Sequence, residues 1–351
     1  MTKRHLTKQQ RRRIEQNQAK ISSQTDARQK TDEQLSSTTL GPEQNGRVIA
    51  RYSHQVDIEP EQPTEHQAGH QTSHQVPLDT HRCHLRANLP TIVTGDQVTW
   101  QQGETRGVVI ARHSRSSELC RPDNRGKLRP VAANIDRIAI VIAPYPEPHA
   151  NLIDRYLVAA EYQAIQPMLI LNKADLIDDS NRLFLDQLLD GYTKLGYDCL
   201  KVSAHTSEGM DSLADYLKTL TSIFVGQSGV GKSSLLNTLS PEIHLAVGAL
   251  SAAKAKGTHT TTTSRLFHLP NGGDVIDSPG IREFGLWHLE PESIAQGFVE
   301  FRPFLGSCKF RDCKHKQEPG CMLRQAVDDG VIGQERFDSY WHILHSLEQD
   351  Q

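Results

Sequence analysis

The chain has 351 residues, with 39 Lys and Arg against 42 Asp and Glu, and hydrophobic residues make up 36% of it. This length predicts about two or three domains and allows a sizeable core. No run approaches the roughly 18 consecutive apolar residues of a membrane helix. The N-terminus lacks the apolar stretch of a secretory signal, and six cysteines are too few for a disulfide scaffold. We therefore expect a cytoplasmic protein with reduced thiols and no membrane association.

Residues 1–40 carry nine Lys and Arg against four Asp and Glu, with few large apolar residues. Such a segment cannot bury enough apolar surface to offset its chain entropy, so a basic disordered tail is predicted. A solvated tail without a role is the simpler interpretation. The alternative is an arm that contacts RNA phosphates.

Residues 41–115 are predicted to form about five short strands, because apolar and polar residues alternate in GRVIARYSHQVDIE, THRCHLRANL, GDQVTWQ and TRGVVIARH. Five short strands in this length are typical of a small barrel such as an OB-fold, which often binds oligonucleotides. Seven arginines fall in the segment, so we predict an OB-fold RNA-binding domain. A solvated barrel face is the alternative explanation for those arginines.

Residues 116–285 form the next predicted domain. It begins with a polar, basic connector over residues 116–133, and the hydrophobic pattern changes after it. The continuous apolar runs IDRIAIVIA and PMLILN predict strands that are buried on both faces. Helices are predicted over residues 151–165 and in RLFLDQLLDGYTKLG and MDSLADYLKTL, and further strands in DCLKVSA and SIFVG. This alternation predicts a doubly wound α/β domain. A last helix, from Gly333 to Leu347, is predicted in the C-terminal region, residues 286–351.

The sequence GQSGVGKS at residues 226–233 is a P-loop between a predicted strand and the helix KSSLLNTL. In this motif, backbone N–H groups and the helix N-terminus bind phosphate oxygens. Lys232 is predicted to reach the β- and γ-phosphates, and the Ser233 hydroxyl to bind Mg²⁺. The predicted nucleotide-binding residues of this segment are Gly226, Gln227, Ser228, Gly229, Val230, Gly231, Lys232, Ser233 and Ser234.

A second nucleotide element, NKAD at residues 172–175, directly follows the strand PMLIL. A carboxylate at Asp175 can accept hydrogen bonds from guanine N1–H and the N2 amino group, and adenine offers neither donor. Asn172 is predicted to hold the loops, the Lys173 stem to cover the ring, and a backbone N–H after the next strand to meet guanine O6. The residues assigned to the base are Asn172, Lys173, Ala174, Asp175, Ser203 and Ala204.

Two further pieces complete a guanine-nucleotide set. In the turn DSPG at residues 277–280, Asp277 is predicted to hold Mg²⁺ through water, and the Gly280 N–H to meet the γ-phosphate. The Thr-rich stretch at residues 257–263 lies between the P-loop and this turn, and Thr261 is our candidate there for a Mg²⁺ ligand. Taken alone, the DSPG segment could be an ordinary turn, and the Thr-rich stretch could be a loop without a functional role.

The order of these elements predicts a circularly permuted GTPase. The base-reading elements precede the P-loop here, whereas in ordinary GTPases they follow the Asp-x-x-Gly turn. A nucleotide site depends on where strand ends lie in space, so this rotation of the chain leaves the site unchanged. The chain leaves the domain directly after the γ-phosphate turn, and we expect the C-terminal region to respond to the nucleotide state.

A metal site is predicted in the C-terminal region, where three cysteines and one histidine lie within 14 residues. Three thiolates and one imidazole suit a closed, structural, tetrahedral Zn²⁺ site. Unrelated reduced thiols are the alternative. The predicted ligands are Cys308, Cys313, His315 and Cys321. The cysteines in other segments are expected to be apolar fillers, and these are Cys83, Cys120 and Cys199.

The permuted order, GTHTTT at residues 257–262 and the Cys₃His set resemble the RsgA (YjeQ) family of ribosome small-subunit-dependent GTPases. The resemblance covers about residues 41–351 and includes CHLRANL, GDQV and AANIDRIAIV. It implies an α/β fold, in which a permuted GTPase domain lies between an N-terminal OB-fold and a C-terminal zinc-binding helical domain.

The same resemblance implies a GTPase that acts late in maturation of the 30S ribosomal subunit and is stimulated by that subunit. We expect a monomer that uses Mg²⁺ with GTP, holds one structural Zn²⁺ and binds 16S rRNA through the OB and zinc domains. Hydrolysis of GTP is expected to release the protein, and other assembly factors are further candidate partners.

Catalysis is predicted to differ from that of Ras-type enzymes, which place a water-orienting Gln after Asp-x-x-Gly. Ile281 stands at that position and cannot orient water, so intrinsic hydrolysis is expected to be slow. His259 is the nearest candidate to act beside Lys232, and the resemblance supports His259 as catalytic on the ribosome. Packing within its loop is the alternative. The family usually has a basic residue where this chain has Thr258, so the local charge of the loop differs.

Two other functions remain open at this point. One is a stable RNA-binding scaffold in which the nucleotide only supports the fold, and it predicts no turnover with 30S subunits. The other is a GTPase that acts on tRNA or on the translating ribosome, and it predicts stimulation by 70S ribosomes but not by free 30S subunits.

Overall fold

The computed structural model of this chain describes residues 40–61, 80–122, 127–241, 264–277, 286 and 289–349. The predicted disordered tail, apart from Leu40, lies outside these residues. The chain divides into two compact units. One consists of residues 1–48, 52–92 and 97–114, and the other of residues 49–51, 93–96 and 115–351. Within the described parts, no helix is long and apolar enough to cross a membrane.

The first unit is a five-stranded barrel. The strands follow the order β1-β2-β3-β5-β4, and β1 pairs back to β4 with Glu43 opposite Gln101, which closes the sheet. β3 and β5 run parallel, whereas β2–β3 and β4–β5 are antiparallel. This confirms the predicted N-terminal barrel. Its strands are β1 (Glu43–Arg51, of which residues 43–48 belong to this unit), β2 (Gln55–Pro60), β3 (His81–Leu85), β4 (Gln97–Gln101) and β5 (Gly107–Arg112).

The barrel interior is filled by the apolar residues that alternate along these strands. A Cβ on Gly46 would lie 2.6 Å from Cγ2 of Ile58 and 2.9 Å from Nε1 of Trp100, so only glycine lets β1 approach the packed centre. Burial raises the pKa of the Cys83 thiol to about 12, which suits an inert filler. The buried side chains are Val48, Val56, Ile58, Cys83, Ile92, Val98, Trp100 and Val109.

The second unit is built on a six-stranded sheet with the order β10-β9-β8-β11-β13-β12. Its neighbouring strands are parallel, except that β12 runs antiparallel to β13. Every residue of β11 is buried, as the continuous apolar run predicts for a central strand. The strands are β8 (Arg137–Ile142), β9 (Gln166–Leu171), β10 (Asp198–Lys201), β11 (Thr221–Val225), β12 (Arg265–His268) and β13 (Asp274–Asp277).

The position of β11 explains why the chain order can be permuted. β11 lies between β8, which precedes it in the chain, and β13, which follows it. Ligands of open α/β sheets bind at the carboxyl ends of the strands, where the strand order reverses direction. That place is set by the neighbours of β11 and does not depend on where the chain begins.

Helices cover both faces of this sheet. α1 and α2 pack with Ile138 and Leu169 in one core, and α3 and α4 pack with Val141 and Met168 in the other. The helix predicted over residues 151–165 spans Ala150–Tyr162, because the chain turns where Ala164 adopts a φ of 53°. The helices are α1 (Ala150–Tyr162), α2 (Arg182–Lys194), α3 (Met210–Leu217) and α4 (Lys232–Leu239).

The segment over residues 116–133, for which we expected only a connector, contains a two-stranded hairpin. β6 (Glu118–Pro122) pairs antiparallel with β7 (Leu128–Ala133). Ser117 ties the hairpin to the start of the sheet, because its hydroxyl donates to the carbonyl of Ile135 and accepts from the Ile135 N–H, both at 2.7 Å. Both strands are short, contain Arg and Pro and show no regular alternation of apolar and polar residues, so the sequence pattern gave no strand signal.

The C-terminal region packs directly on α1. Phe298, Phe301 and Tyr340 are buried in the same core as Leu157 of α1. The rings of Phe298 and Phe301 stack with centroids 4.8 Å apart. The helix predicted from Gly333 to Leu347 corresponds to the last helix. The elements are α5 (Pro291–Gly297), a 3₁₀ helix (Val299–Phe304), α6 (Met322–Asp328) and α7 (Gln334–Gln349).

Candidate nucleotide and metal sites

The P-loop joins the end of β11 to the first residue of α4, Lys232. The first N–H groups of a helix have no partner within the helix, and with the helix dipole they favour a bound anion. Gly231 has a φ of 95°, and a Cβ there would lie 2.4 Å from Nδ2 of Asn172. The loop therefore needs glycine at this position for two reasons, the backbone conformation and the contact with Asn172.

Lys232 curls back over the P-loop. Its Nζ donates to the carbonyl oxygens of Gly226 at 2.7 Å and Gln227 at 2.8 Å. Burial raises the pKa of Asp277, and the charge of Lys232 acts in the opposite direction, so the ammonium and this carboxylate share one electrostatic environment. Ser233 is buried beside them at the start of α4. Of the residues predicted to meet phosphate and Mg²⁺, Lys232, Ser233 and Asp277 thus lie at the ends of the neighbouring strands β11 and β13.

Asn172 links three loops through its side-chain amide. The side chain is buried and follows β9. Its Nδ2 donates to the carbonyl of Val230 in the P-loop at 2.9 Å, and its Oδ1 accepts from the Ala204 N–H at 3.3 Å. Asn172 therefore occupies the loop-holding position that the sequence predicts.

Lys173 extends across the same loop. Its backbone is left-handed with a φ of 59°. Its Nζ donates to the carbonyl oxygens of Gly229 at 2.6 Å and Tyr145 at 2.9 Å. No sequence motif marks Tyr145, because its loop approaches Lys173 and the P-loop only through the pairing of β8 with β9 and β11.

Asp175 and Ser203 form the outer end of the site. The Ser203 hydroxyl donates to Oδ1 of Asp175, and its oxygen accepts from the N–H groups of His205 at 3.2 Å and Thr206 at 3.1 Å. This network orients a solvent-exposed carboxylate beside the loop that follows β10. The geometry suits recognition of an edge with two N–H donors, which is what guanine offers.

Several predicted site residues lie outside the described part of the chain. These are His259, Thr261 and Gly280, together with Thr258 and Ile281. Their assignments stay predictions. Of the other P-loop residues, Gln227, Ser228 and Gly229 are exposed, Val230 is buried and Ser234 is half-buried.

The four predicted metal ligands converge. The ligand atoms of Cys308, Cys313, His315 and Cys321 all lie within 4.8 Å of one another. Nδ1 of His315 is 3.6 Å from Sγ of Cys308 and 3.4 Å from Sγ of Cys321. A tetrahedral Zn²⁺ site with ordinary Zn–S and Zn–N bonds requires an S···N separation of about 3.6 Å. The spacing and the donor set therefore both fit zinc.

The electrostatics of this cluster also fit a cation. Burial raises the pKa of the Cys313 thiol to about 12, with the neighbouring thiols contributing, and burial raises the pKa of Cys321 as well. A divalent ion would stabilise the thiolates that this environment otherwise disfavours. Burial lowers the pKa of His315, which favours the neutral imidazole that metal ligation needs. Elsewhere in the described residues, no other group of His, Cys, Asp and Glu has metal-site spacing.

Comparisons with known proteins agree with this geometry. The family model for RsgA GTPase matches residues 112–287. The small ribosomal subunit biogenesis GTPase RsgA of Ectopseudomonas mendocina (strain ymp) is 55% identical over 352 residues, which is 100% of this chain and 99% of that protein. The protein of the same name from Pseudomonas aeruginosa (strain PAO1) is 55% identical over 99% of this chain and 98% of its own length.

Two solved structures extend the comparison to the fold. The crystal structure of YjeQ from Thermotoga maritima is 31% identical, has a TM-score of 0.69, and aligns with 87% of this chain and 99% of its own. YloQ, a circularly permuted GTPase, is 28% identical, has a TM-score of 0.67, and aligns with 88% of this chain and 96% of its own. The expected permuted GTPase fold is therefore confirmed.

Proposed function

Since this chain belongs to the RsgA GTPase family, it is a GTP hydrolase, and we propose that it acts late in maturation of the small ribosomal subunit. The observation that carries the proposal is the position of Asn172. Its amide bonds to both the P-loop and the loop after β10, which supports one site made of the elements predicted to bind phosphate and to read the base. The names of the relatives supply the small subunit as the partner.

In this proposal, the nucleotide lies along the carboxyl ends of β9, β11 and β13. Lys232 exchanges its carbonyl partners for the β- and γ-phosphates, and Asp175 accepts from the guanine N1–H and N2 groups. Mg²⁺ would be held by Ser233 and Thr261, with Asp277 acting through water, and it would neutralise charge on the phosphates. The Gly280 N–H would meet the γ-phosphate.

We assign water orientation to His259, because Ile281 cannot supply it. The free protein is expected to hydrolyse GTP slowly, and 30S binding to bring His259 into position. The barrel and the C-terminal region, with one structural Zn²⁺, would bind 16S rRNA. Hydrolysis would loosen the segment after the γ-phosphate turn and release the protein, which would act as a cytoplasmic monomer.

The test is GTP turnover by the purified protein, measured alone, with 30S subunits and with 70S ribosomes. Stimulation by free 30S subunits is expected. No turnover under any condition would favour an RNA-binding scaffold, and stimulation by 70S ribosomes alone would favour a role in translation. ATP in place of GTP serves as the substrate control.

Two variants separate binding from chemistry in this assay. His259→Ala is expected to lose about a hundredfold or more of the 30S-stimulated rate while GTP affinity barely changes, because its interaction belongs to the transition state. Lys232→Ala is expected to weaken GTP binding as well, because its phosphate contact exists in the ground state. A His259→Ala protein with the full stimulated rate would remove His259 from the mechanism.

A further inference from the structure

The loop that carries the four metal ligands presents an exposed aromatic ring. Phe310 lies between the ligands Cys308 and Cys313, and 43% of its surface is exposed. Single exposed apolar side chains are common and need no explanation by themselves. Two features distinguish Phe310 from other exposed apolar residues. Its backbone is held by hydrogen bonds, and cationic side chains surround its ring.

The backbone around Phe310 is held from both sides. The Cys313 N–H donates to the Phe310 carbonyl at 3.3 Å, and the Lys309 N–H donates to the Gly320 carbonyl at 3.0 Å. A Cβ on Gly320 would lie 2.8 Å from Cβ of Lys309, so the two sides of the loop pack closely. The ring therefore projects from a braced turn, and a partner can contact it without first ordering the segment.

The charge around the ring is strongly positive. We define the zinc loop as residues 307–325, which hold five cationic side chains against two carboxylates. One carboxylate, Glu318, is held by the loop's own backbone and accepts from the N–H groups of Lys314 and Gln317, both at 3.1 Å. The ammonium of Lys309 lies 5.6 Å from the centroid of the Phe310 ring. The exposed cations of the loop are Lys309, Arg311, Lys314, Lys316 and Arg324.

We propose that the zinc loop is a platform for single-stranded RNA, in which Phe310 stacks on one base while Lys309 and Arg311 contact the flanking phosphates. An aromatic ring flanked by cations is the arrangement by which proteins bind single strands without reading their sequence. Zinc knuckles use it on unpaired RNA bases. The inference deepens the proposed function, because the RNA would be that of the small subunit.

The test uses the zinc-loaded full chain and a fluorescein-labelled single-stranded RNA of ten uridines. Phe310→Ala is expected to weaken RNA binding about tenfold in fluorescence anisotropy, the size expected for one lost base stack. Phe310→Tyr should keep the wild-type affinity, whereas Phe310→Leu should not. The matched control is Phe184→Ala, since Phe184 is 42% exposed on α2. Zinc content and unstimulated GTP turnover of each variant verify that the fold is intact.

A second readout separates this loop from any other RNA-binding surface of the chain. Phe310→Trp introduces an indole whose fluorescence an RNA base should quench on stacking, and the signal of the wild-type protein is subtracted. Phe184→Trp should show no such added quenching. Replacing Lys309 or Arg311 with Ala should lower the slope of log affinity against log salt by about 0.7 each, as expected for one phosphate contact to a single strand.

Some results would overturn the proposal. Equal RNA affinity of Phe310→Ala and wild type, with no added quenching in Phe310→Trp, would exclude the stacking role. If Phe310→Ala lost 30S binding but kept its affinity for the labelled RNA, the loop would instead contact a ribosomal protein. The RNA-binding assay contains neither ribosomes nor GTP, so failure of 30S-stimulated turnover would reject the proposed function while leaving this result intact.

Discussion

The nucleotide edge and the cysteine cluster gather their residues in opposite ways. We use nucleotide edge for the carboxyl ends of β8, β9, β10 and β11 with the loops after them. There, Asn172 reaches a carbonyl 58 positions further along the chain, and the contacts that join one loop to another depend on the pairing of strands. The cysteine cluster collects Cys308, Cys313, His315 and Cys321 from 14 consecutive residues.

This difference has an energetic consequence. A site made by sheet topology is stabilised by the core beneath it. Substitution of a single side chain in such a site therefore need not unfold it. A local metal site has little apolar surface of its own, so the metal itself supplies much of its folding free energy. The two sites should therefore respond differently to substitution and should be separable by experiment.

The largest effect is expected from Cys313→Ser, which removes one thiolate ligand. Loss of zinc should unfold the loop around it, because structural zinc sites in small domains contribute about 10 kcal/mol of apparent binding free energy. Zinc content by elemental analysis and limited proteolysis of the C-terminal region measure the effect. GTP affinity should be nearly unchanged.

The control for that variant is Cys199→Ser, which alters a half-buried thiol of the GTPase sheet that has no metal-site neighbours among the described residues. It should keep its zinc. Simultaneous loss of zinc and of GTP binding in Cys313→Ser would show that the two sites are not independent. Absence of zinc from the wild-type protein, purified without a chelator, would contradict the assignment of a metal site.

A buried ion pair connects the GTPase core to the C-terminal helix. Asp154 of α1 accepts from Nη1 of Arg336 in α7 and from the Tyr192 hydroxyl, and its side chain is fully buried. Asp154→Ala should cost about 3 kcal/mol of unfolding free energy, because Nη1 of Arg336 and the Tyr192 hydroxyl each lose a buried acceptor, while Glu300 still pairs with Arg336. Urea denaturation measures the loss.

A second ion pair between the same two regions provides the comparison. Nη2 of Arg302 lies 2.7 Å from Oε2 of Glu161, but 47% of the arginine side chain is exposed. Arg302→Ala should therefore cost less than about 1 kcal/mol. Equal effects of the two substitutions would mean that burial of Asp154 does not govern this contact.

Base selectivity at the nucleotide edge is tested by Asp175→Asn. The amide offers one acceptor and one donor group where guanine needs two acceptors, so GTP affinity should fall by about 3 kcal/mol, or more than a hundredfold. Xanthosine triphosphate should then be preferred, since its base replaces the N2 amino donor with a carbonyl. Competition binding against a fluorescent GTP analogue measures both changes. A variant that still prefers GTP over ATP and XTP would refute the assignment.

The smallest effect on the nucleotide edge is expected from a comparison of two glycine substitutions that differ in their surroundings. Gly231 and Gly196 have φ values of 95° and 92°, but a Cβ on Gly196 would meet nothing within 4 Å. Gly196→Ala should cost about 1 kcal/mol of stability through backbone strain alone. Gly231→Ala should in addition displace Asn172 and weaken GTP binding about tenfold. Similar GTP affinities in the two variants would show that the Asn172 contact is dispensable.

The sequence alone determined the features that depend on local pattern. Continuous apolar runs predicted the buried strands, alternation predicted the barrel, and the spacing of Cys308, Cys313, His315 and Cys321 predicted their convergence. The P-loop was recognisable because its glycines and Lys232 are neighbours in the chain. The order of the motifs was sufficient to predict the permutation, because it is itself a property of the sequence.

Only the tertiary structure decided the contacts made by residues distant in the chain. The carbonyl of Tyr145 meets Lys173 because β8 lies beside β9, and no local pattern encodes that pairing. The hairpin of β6 and β7 escaped prediction, because each short strand contains Arg and Pro and lacks a clear alternation of apolar and polar residues. The ion pair of Asp154 with Arg336 joins residues 182 positions apart, and only packing of α7 on α1 brings their charges together.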